Sequence, residues 1–297
     1  MHAPKLLLDH LAFPEGPRWH QGWLWFSDVT NKRVERVDVE GRREVVATFD
    51  DRPSGLGFLP DGSLIVVAMT QRRLLRVTGG KIEPYADLRD FGGDFANDMV
   101  VDADGRAYVG VRSAALKPGF AVPDAKDAPD VVVVVEPSGD ASIAADQMVS
   151  PNGTVITPDG HTLIIAETYA HRLTAFDRAS DGTLSGRRIF GEVDGVYPDG
   201  ICLDSDGAVW VGSPYSDEFV RVRDGGEITD RLSVTGGVAC ALGGDNRTTL
   251  FLLAVDGTAL PKPGTSTSTA PVLHGNAAFD GGCIWTIPVD HGGAGWP

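Results

Sequence analysis

Glu15, Ser54, Asn97, Asn152 and Asp199 stand out in this chain because a polar side chain recurs at one repeated place. Four of them lie seven residues ahead of an Asp-Gly pair: Ser54 before Asp61, Asn97 before Asp104, Asn152 before Asp159 and Asp199 before Asp206. Those pairs, set between apolar runs, predict hairpins with positive φ at both central residues. Glu15 opens a shorter copy ahead of Gly22, and a degraded copy runs from Gly237-Val238 through Asp245-Asn246. All five side chains are oxygen donors, with no histidine or cysteine at these places. Such a set suits a hard cation, and calcium accepts irregular geometry more readily than magnesium does. Plain turns at Asn152-Gly153 and Asp199-Gly200 are the alternative. Each of these is followed by its own Asp-Gly turn at fixed spacing, which favours convergence on a metal.

The elements that must position these residues follow from the repeat. Copies begin at residues 15, 54, 97, 152, 199 and about 238, so each unit spans roughly 39 to 55 residues. Several short strands per unit at that period predict an all-β six-bladed β-propeller, read as one domain over residues 1–297. The Trp-Asp and Gly-His signatures of the commonest propeller repeat are missing. Blades stand radially with their first strands lining a central channel. Because the polar residue opens each first strand, the copies meet at one end of that channel, where a metal site is expected. Asp61, Asp104, Asp159 and Asp206 fall about 23 Å away by strand rise, as turn residues at the opposite end. Connections after the second strands return to the polar end and place Met69, Arg112, Tyr169 and Tyr215 around its mouth. A mixed rim of this kind suits a small organic molecule, with Arg112 and Tyr169 as candidate contacts. His171 reads as a solvated loop histidine. Residues 5–8 are expected to close the ring by pairing with residues 283–289. Residues 112–130 form the longest irregular stretch, and a lid over the pocket is expected there.

Composition narrows the function classes. Acidic residues number 41 against 26 basic ones, for a formal charge of −15. The small basic clusters, Arg33/Arg36, Arg42-Arg43, Arg72-Arg73 and Arg187-Arg188, belong to different units, which argues against nucleic-acid binding. Cys202, Cys240 and Cys283 lack zinc-ligand spacing and make no disulfide framework; Cys202 and Cys240 read as small buried hydrophobes. The apolar run at residues 6–8 is too short for a signal peptide or a membrane span. A cytoplasmic protein without membrane partners is expected, monomeric or weakly dimeric.

The motifs Phe13-Pro-Glu15-Gly-Pro-Arg-Trp19, Leu24-Trp-Phe-Ser-Asp28, Pro53-Ser-Gly-Leu-Gly57, Asn97-Asp98, Ser150-Pro-Asn152-Gly153 and Tyr197-Pro-Asp199-Gly-Ile, in this order, resemble the SMP-30/gluconolactonase/luciferin-regenerating-enzyme family. The resemblance covers nearly the whole chain and implies a six-bladed propeller, most members being metal-dependent sugar lactonases. It further implies that Glu15, Asn152 and Asp199 bind one divalent metal, that Asn97 binds substrate or water, and that Asp199 acts as general base. Ser54 joins the substrate-binding candidates. One departure stands out. Sugar lactonases of the family carry an Arg two residues before the Asn of Asn-Asp, whereas this chain has Phe95 there, which opens the substrate class to less polar lactones and leaves Arg112 as the replacement cation.

The expected chemistry is hydrolysis of a small lactone. The cation, most readily Ca2+ with Zn2+, Mg2+, Mn2+ or Fe2+ as alternatives, polarises the carbonyl. A cation-bound Asp199 is a weak base because its ionised form is stabilised, so Asp199 is expected chiefly to position a water that the metal activates. No Gly-x-Ser-x-Gly elbow supports a serine nucleophile. Organophosphate hydrolysis on the same site, and a non-enzymatic calcium-binding propeller, are the competing readings.

Overall fold

The computed structural model describes residues 3–113, 130–256 and 280–294. Six four-stranded antiparallel sheets form the blades of a β-propeller. Their inner strands are Pro14–His20, Pro53–Phe58, Phe95–Val101, Pro151–Ile156, Ile201–Leu203 and Gly237–Gly243, for blades 1 to 6. Each touches the next around a closed ring, and the first touches the last. The ring closes as expected: Lys5–Leu11 is the outermost strand of blade 6 and pairs with Gly282–Pro288. The expected lid over residues 112–130 falls, apart from its two ends, outside the described residues.

Apolar side chains concentrate in the seams between blades. Leu173 and Ala175 of blade 4 pack with Val209, Val211 and Val220 of blade 5, and Leu24 and Phe26 of blade 1 pack with Val238 and Phe251 of blade 6. A strand with both faces buried against neighbouring blades explains the continuous apolar runs at Leu64–Ala68 and Asp130–Val135.

The Asp-Gly turns differ from the expected type. Gly62, Gly105, Gly160 and Gly207 have φ of 82°, 89°, 75° and 75°, but the preceding aspartates keep ordinary negative φ. In blade 2, Gly62 N–H donates to the Leu59 carbonyl at 2.8 Å and Leu59 N–H to the Ser63 carbonyl at 2.9 Å. This is a type I turn followed by a left-handed glycine, which also twists the hairpin correctly. The aspartates answer local backbone donors, Asp61 taking Ser63 N–H and Asp159 taking His161 N–H. They are turn residues at the end of the channel away from the polar ring.

Candidate metal centre and active site

The inner strands of blades 1 to 4 each carry an irregularity beside the polar residue, whereas Asp199 stands just ahead of the regular inner strand of blade 5. The register slips between Glu15 and Arg18, between Pro53 and Leu56, between Ala96 and Met99, and between Pro151 and Thr154. A bulge bends the strand and re-aims the side chain beside it. Repeating it blade after blade turns a string of polar residues into a ring.

The glycine after the polar residue has a different purpose from a turn. A Cβ on Gly153 would stand 2.5 Å from the Asp199 carbonyl oxygen, and one on Gly55 would stand 2.5 Å from Met99 N. Neighbouring inner strands therefore approach too closely for any side chain, and Gly153 N–H donates across the seam to Asp199 O at 3.1 Å. The plain-turn alternative for Asn152-Gly153 falls on this geometry.

Glu15, Asn97, Asn152, Asp199, Arg112 and Tyr169 line one cleft of about 90 Å³, together with Phe13, Val29, Arg52, Met69, Thr168, Pro214 and Tyr215. Ser54 stands behind this lining. Its hydroxyl donates to Asn97 Oδ1 at 3.3 Å, Asn97 Nδ2 donates to Asn152 Oδ1 at 2.9 Å, and Asn152 Nδ2 donates to Thr168 Oγ1 at 3.1 Å. This relay sets the orientation of both amides. Ser54 orients Asn97 rather than forming part of the cleft wall.

The electrostatics are those of a site short of positive charge. Burial is the main cause that pushes the Asp199 carboxyl up to about 7; Asp98 adds to it, while Arg112 and a hydrogen bond from Asn152 oppose it. Burial, then Asp199 and Asp98, raise Glu15 well above the usual carboxylate range. Asp98 is raised by burial too and held back by Arg18. Clustered buried carboxylates that resist ionising beside oriented amide oxygens form an oxygen-donor set suited to a divalent cation.

Sequence reasoning passed over several contributors. Arg18 of blade 1 meets Asp98 of blade 3 at 3.4 Å and also donates to the Met99 carbonyl, bracing the channel just below Glu15 and Asn97. The second strands supply matching braces. Asp28 Oδ1 accepts Ala12 N–H at 3.0 Å and Phe13 N–H at 2.9 Å, Glu167 Oε2 accepts Val149 N–H at 2.7 Å, and Ser213 Oγ accepts Tyr197 N–H at 2.8 Å. Each holds the chain two or three residues ahead of Glu15, Asn152 or Asp199. In blade 3 the brace is Asp130, whose oxygens accept Ser113 N–H at 2.7 Å and Ser150 N–H at 2.8 Å, and whose carboxyl burial pushes up to about 6. The only sequence sign of these braces is a polar residue ending or opening an otherwise apolar strand.

The rim differs from expectation at His171. This residue is half-buried: Nδ1 donates to the Val196 carbonyl at 2.6 Å, and the ring meets Tyr197 edge-on at 4.4 Å. Tyr197 in turn meets Tyr215 at 5.1 Å. Arg112 lies directly across from Phe95 in the antiparallel register, one strand outward from the position left without a cation. Lower in the channel, Cys202 and Cys240 place their sulfurs 3.5 Å apart; Cys240 is buried and Cys202 half-buried, so only one of the two is the fully buried hydrophobe expected.

Residues 13–256 match the sequence profile of the SMP-30/Gluconolactonase/LRE-like region. The chain is 24% identical over 253 residues to regucalcin of Gallus gallus, covering 82% of this chain and 83% of the relative. It is 29% identical over 202 residues to the pentonolactonase XacC of Haloferax volcanii, covering 66% and 65% of the two chains. The solved structure of a calcium-binding regucalcin from Agrobacterium tumefaciens superposes with a TM-score of 0.77 at 18% identity, over 99% of this chain and 96% of that one.

Proposed function

The chain belongs to the SMP-30/gluconolactonase/LRE-like family, and from that premise we propose that it is a divalent-cation-dependent lactonase. The observation that carries this reading is the convergence of Glu15, Asn97, Asn152 and Asp199 on one cleft, with carboxyls there that burial keeps from ionising in the absence of a cation. A pentonolactonase and calcium-binding regucalcin among its relatives support the two halves of the proposal.

Glu15, Asn152 and Asp199 would hold the cation, and calcium fits this all-oxygen set best; bound there, it would supply Lewis acidity to the ester carbonyl and to the oxyanion that develops on it. The chain's own groups do the rest. Ser54 and Thr168 lock the amides of Asn97 and Asn152. Asn97 keeps a second N–H for the substrate, since its amide has two and one is spent on Asn152. Asp199 orients the attacking water. The water oxygen bonds to the acyl carbon, the ring C–O bond breaks, and a proton given up by the water ends on the ring oxygen, which leaves as a hydroxyl.

The test is chelation followed by re-addition of single divalent ions, with sugar and non-sugar lactones as substrates. Activity that disappears with the chelator and returns with one ion, calcium being expected, supports the proposal. No turnover of any lactone with any ion overturns it in favour of a non-enzymatic cation-binding propeller.

A further inference from the structure

The cleft combines an apolar wall with a cation, and the two features together specify a substrate. Phe13, Val29, Met69 and Pro214 contribute hydrocarbon to the lining. Tyr169 and Tyr215 add ring surface to the same lining. The amides of Asn97 and Asn152 are engaged with each other and with Thr168. Hydroxyls turned toward this hydrocarbon would lose their partners, at about 1–3 kcal/mol each, and the amide N–H left on Asn97 serves one polar group of the substrate.

Arg112 is the contrasting element. It ends the second strand of blade 3, lines the cleft, and donates to the neutral Ser150 hydroxyl at 3.2 Å. Among the described residues it forms no ion pair. It shares the cleft lining with Glu15 and Asp199. A cation on Glu15 and Asp199 would answer their charge, Asp98 is already paired with Arg18, and both Asp130 oxygens accept backbone N–H groups. The guanidinium then needs an anion, and its forked donors match a carboxylate. Arg112 stands across from Phe95 on the second strand, so its backbone lies one strand outside the ring of oxygen donors, and it is not one of those donors, which leaves it for a substituent of the substrate.

We propose that the substrate is a lactone with an apolar substituent and a carboxylate substituent, the apolar part meeting the hydrocarbon that Phe13, Val29, Met69 and Pro214 contribute to the lining and the carboxylate resting on Arg112. This rests on the lactonase reading. Hydrolysis adds water across the acyl C–O bond and yields a hydroxy-dicarboxylate, with the original carboxylate unchanged.

The test compares kcat/KM for a γ-phenyl-γ-butyrolactone bearing a carboxylate, its methyl ester, and glucono-δ-lactone, in the wild type, Arg112→Gln and Arg112→Lys. The acid is expected to exceed its ester by about tenfold or more in the wild type, the worth of a charge-assisted contact. Arg112→Gln should bring that ratio near unity, and Arg112→Lys should keep part of it. Binding is read separately by calorimetry with the matching lactam acid and lactam amide, which need no turnover. Lactam acid binding that is tighter than the amide and lost in Arg112→Gln supports the anion subsite even if no lactone is hydrolysed, a result that would remove only the lactonase reading. Ester or gluconolactone turned over as well as the acid, or a preference for the acid that survives Arg112→Gln, overturns the inference while leaving the lactonase reading in place.

Discussion

At the scale of single residues, the proposed cation site places carboxylates where burial makes their charge costly. Asp199 makes this measurable. Its carboxyl is raised from 3.8 to about 7 in the folded, cation-free protein. A raised folded pKa means that the stabilising contribution is complete below the unfolded value and is lost as pH rises through about 7. Glu15 and Asp98 act in the same direction. A cation competes with those protons, so its stabilising effect must grow over the same interval. We predict that the rise in melting temperature on adding millimolar calcium is small at pH 5.5, grows through neutrality and levels off above it. Asp199→Asn should raise the cation-free melting temperature at pH 8, shrink the calcium effect, and lower kcat/KM by about 10²-fold or more. A calcium effect independent of pH in the wild type would contradict this account. The repeated polar position was visible in the sequence because type and spacing recur. The Arg18–Asp98 pair was not, because its members lie 80 residues apart and belong to no shared pattern.

At the scale of strands and turns, the informative signal was the glycine that follows the polar residue, although its physical meaning lay elsewhere. Asn152-Gly153 has the composition of a turn, yet Gly153 lies inside an inner strand and lets blade 5 approach blade 4. Only the three-dimensional path separates these readings, since the dipeptide is the same. The bulges were likewise hidden, because a strand with an extra residue keeps its apolar composition and merely loses register with its partner. In blade 3 the glycine is replaced by Asp98, whose side chain turns to Arg18 across the channel. Gly153→Ala tests the close approach. The new Cβ would meet Asp199 O and Ile201 N, both at 2.5 Å, and backbone cannot move aside cheaply. A loss of about 2–3 kcal/mol in chemical denaturation is expected, with a weakened calcium effect because Asp199 shifts. Unchanged stability and unchanged calcium response would show that the seam between blades 4 and 5 has room to spare.

At the scale of the whole molecule, the ring of oxygen donors exists only while the ring of blades is closed. Glu15 comes from blade 1 and Asp199 from blade 5, so blade 6 stands between them on the short way round, and its outer edge is the N-terminal strand Lys5–Leu11. That strand covers the Gly282–Pro288 edge, buries Leu11 fully and packs Leu7 and Leu8 against the seam between blades 6 and 1. The stretch from Leu11 to Glu15 is also where Asp28 takes the Ala12 and Phe13 N–H groups that aim Glu15. Closure and the aim of Glu15 therefore share one short segment. Removing residues 1–11 should cost about 3–5 kcal/mol from the lost leucine burial alone, and it would expose an unpaired strand edge that invites association. The prediction is a lower melting temperature, concentration-dependent aggregation, and a calcium response weakened beyond the loss of stability, since Glu15 loses its tether. A synthetic peptide of residues 3–12 added to the truncated protein should restore both properties. If the truncated protein melts at the wild-type temperature and responds fully to calcium, closure by this strand does not hold Glu15 in place, and the Asp28 brace alone would have to be sufficient.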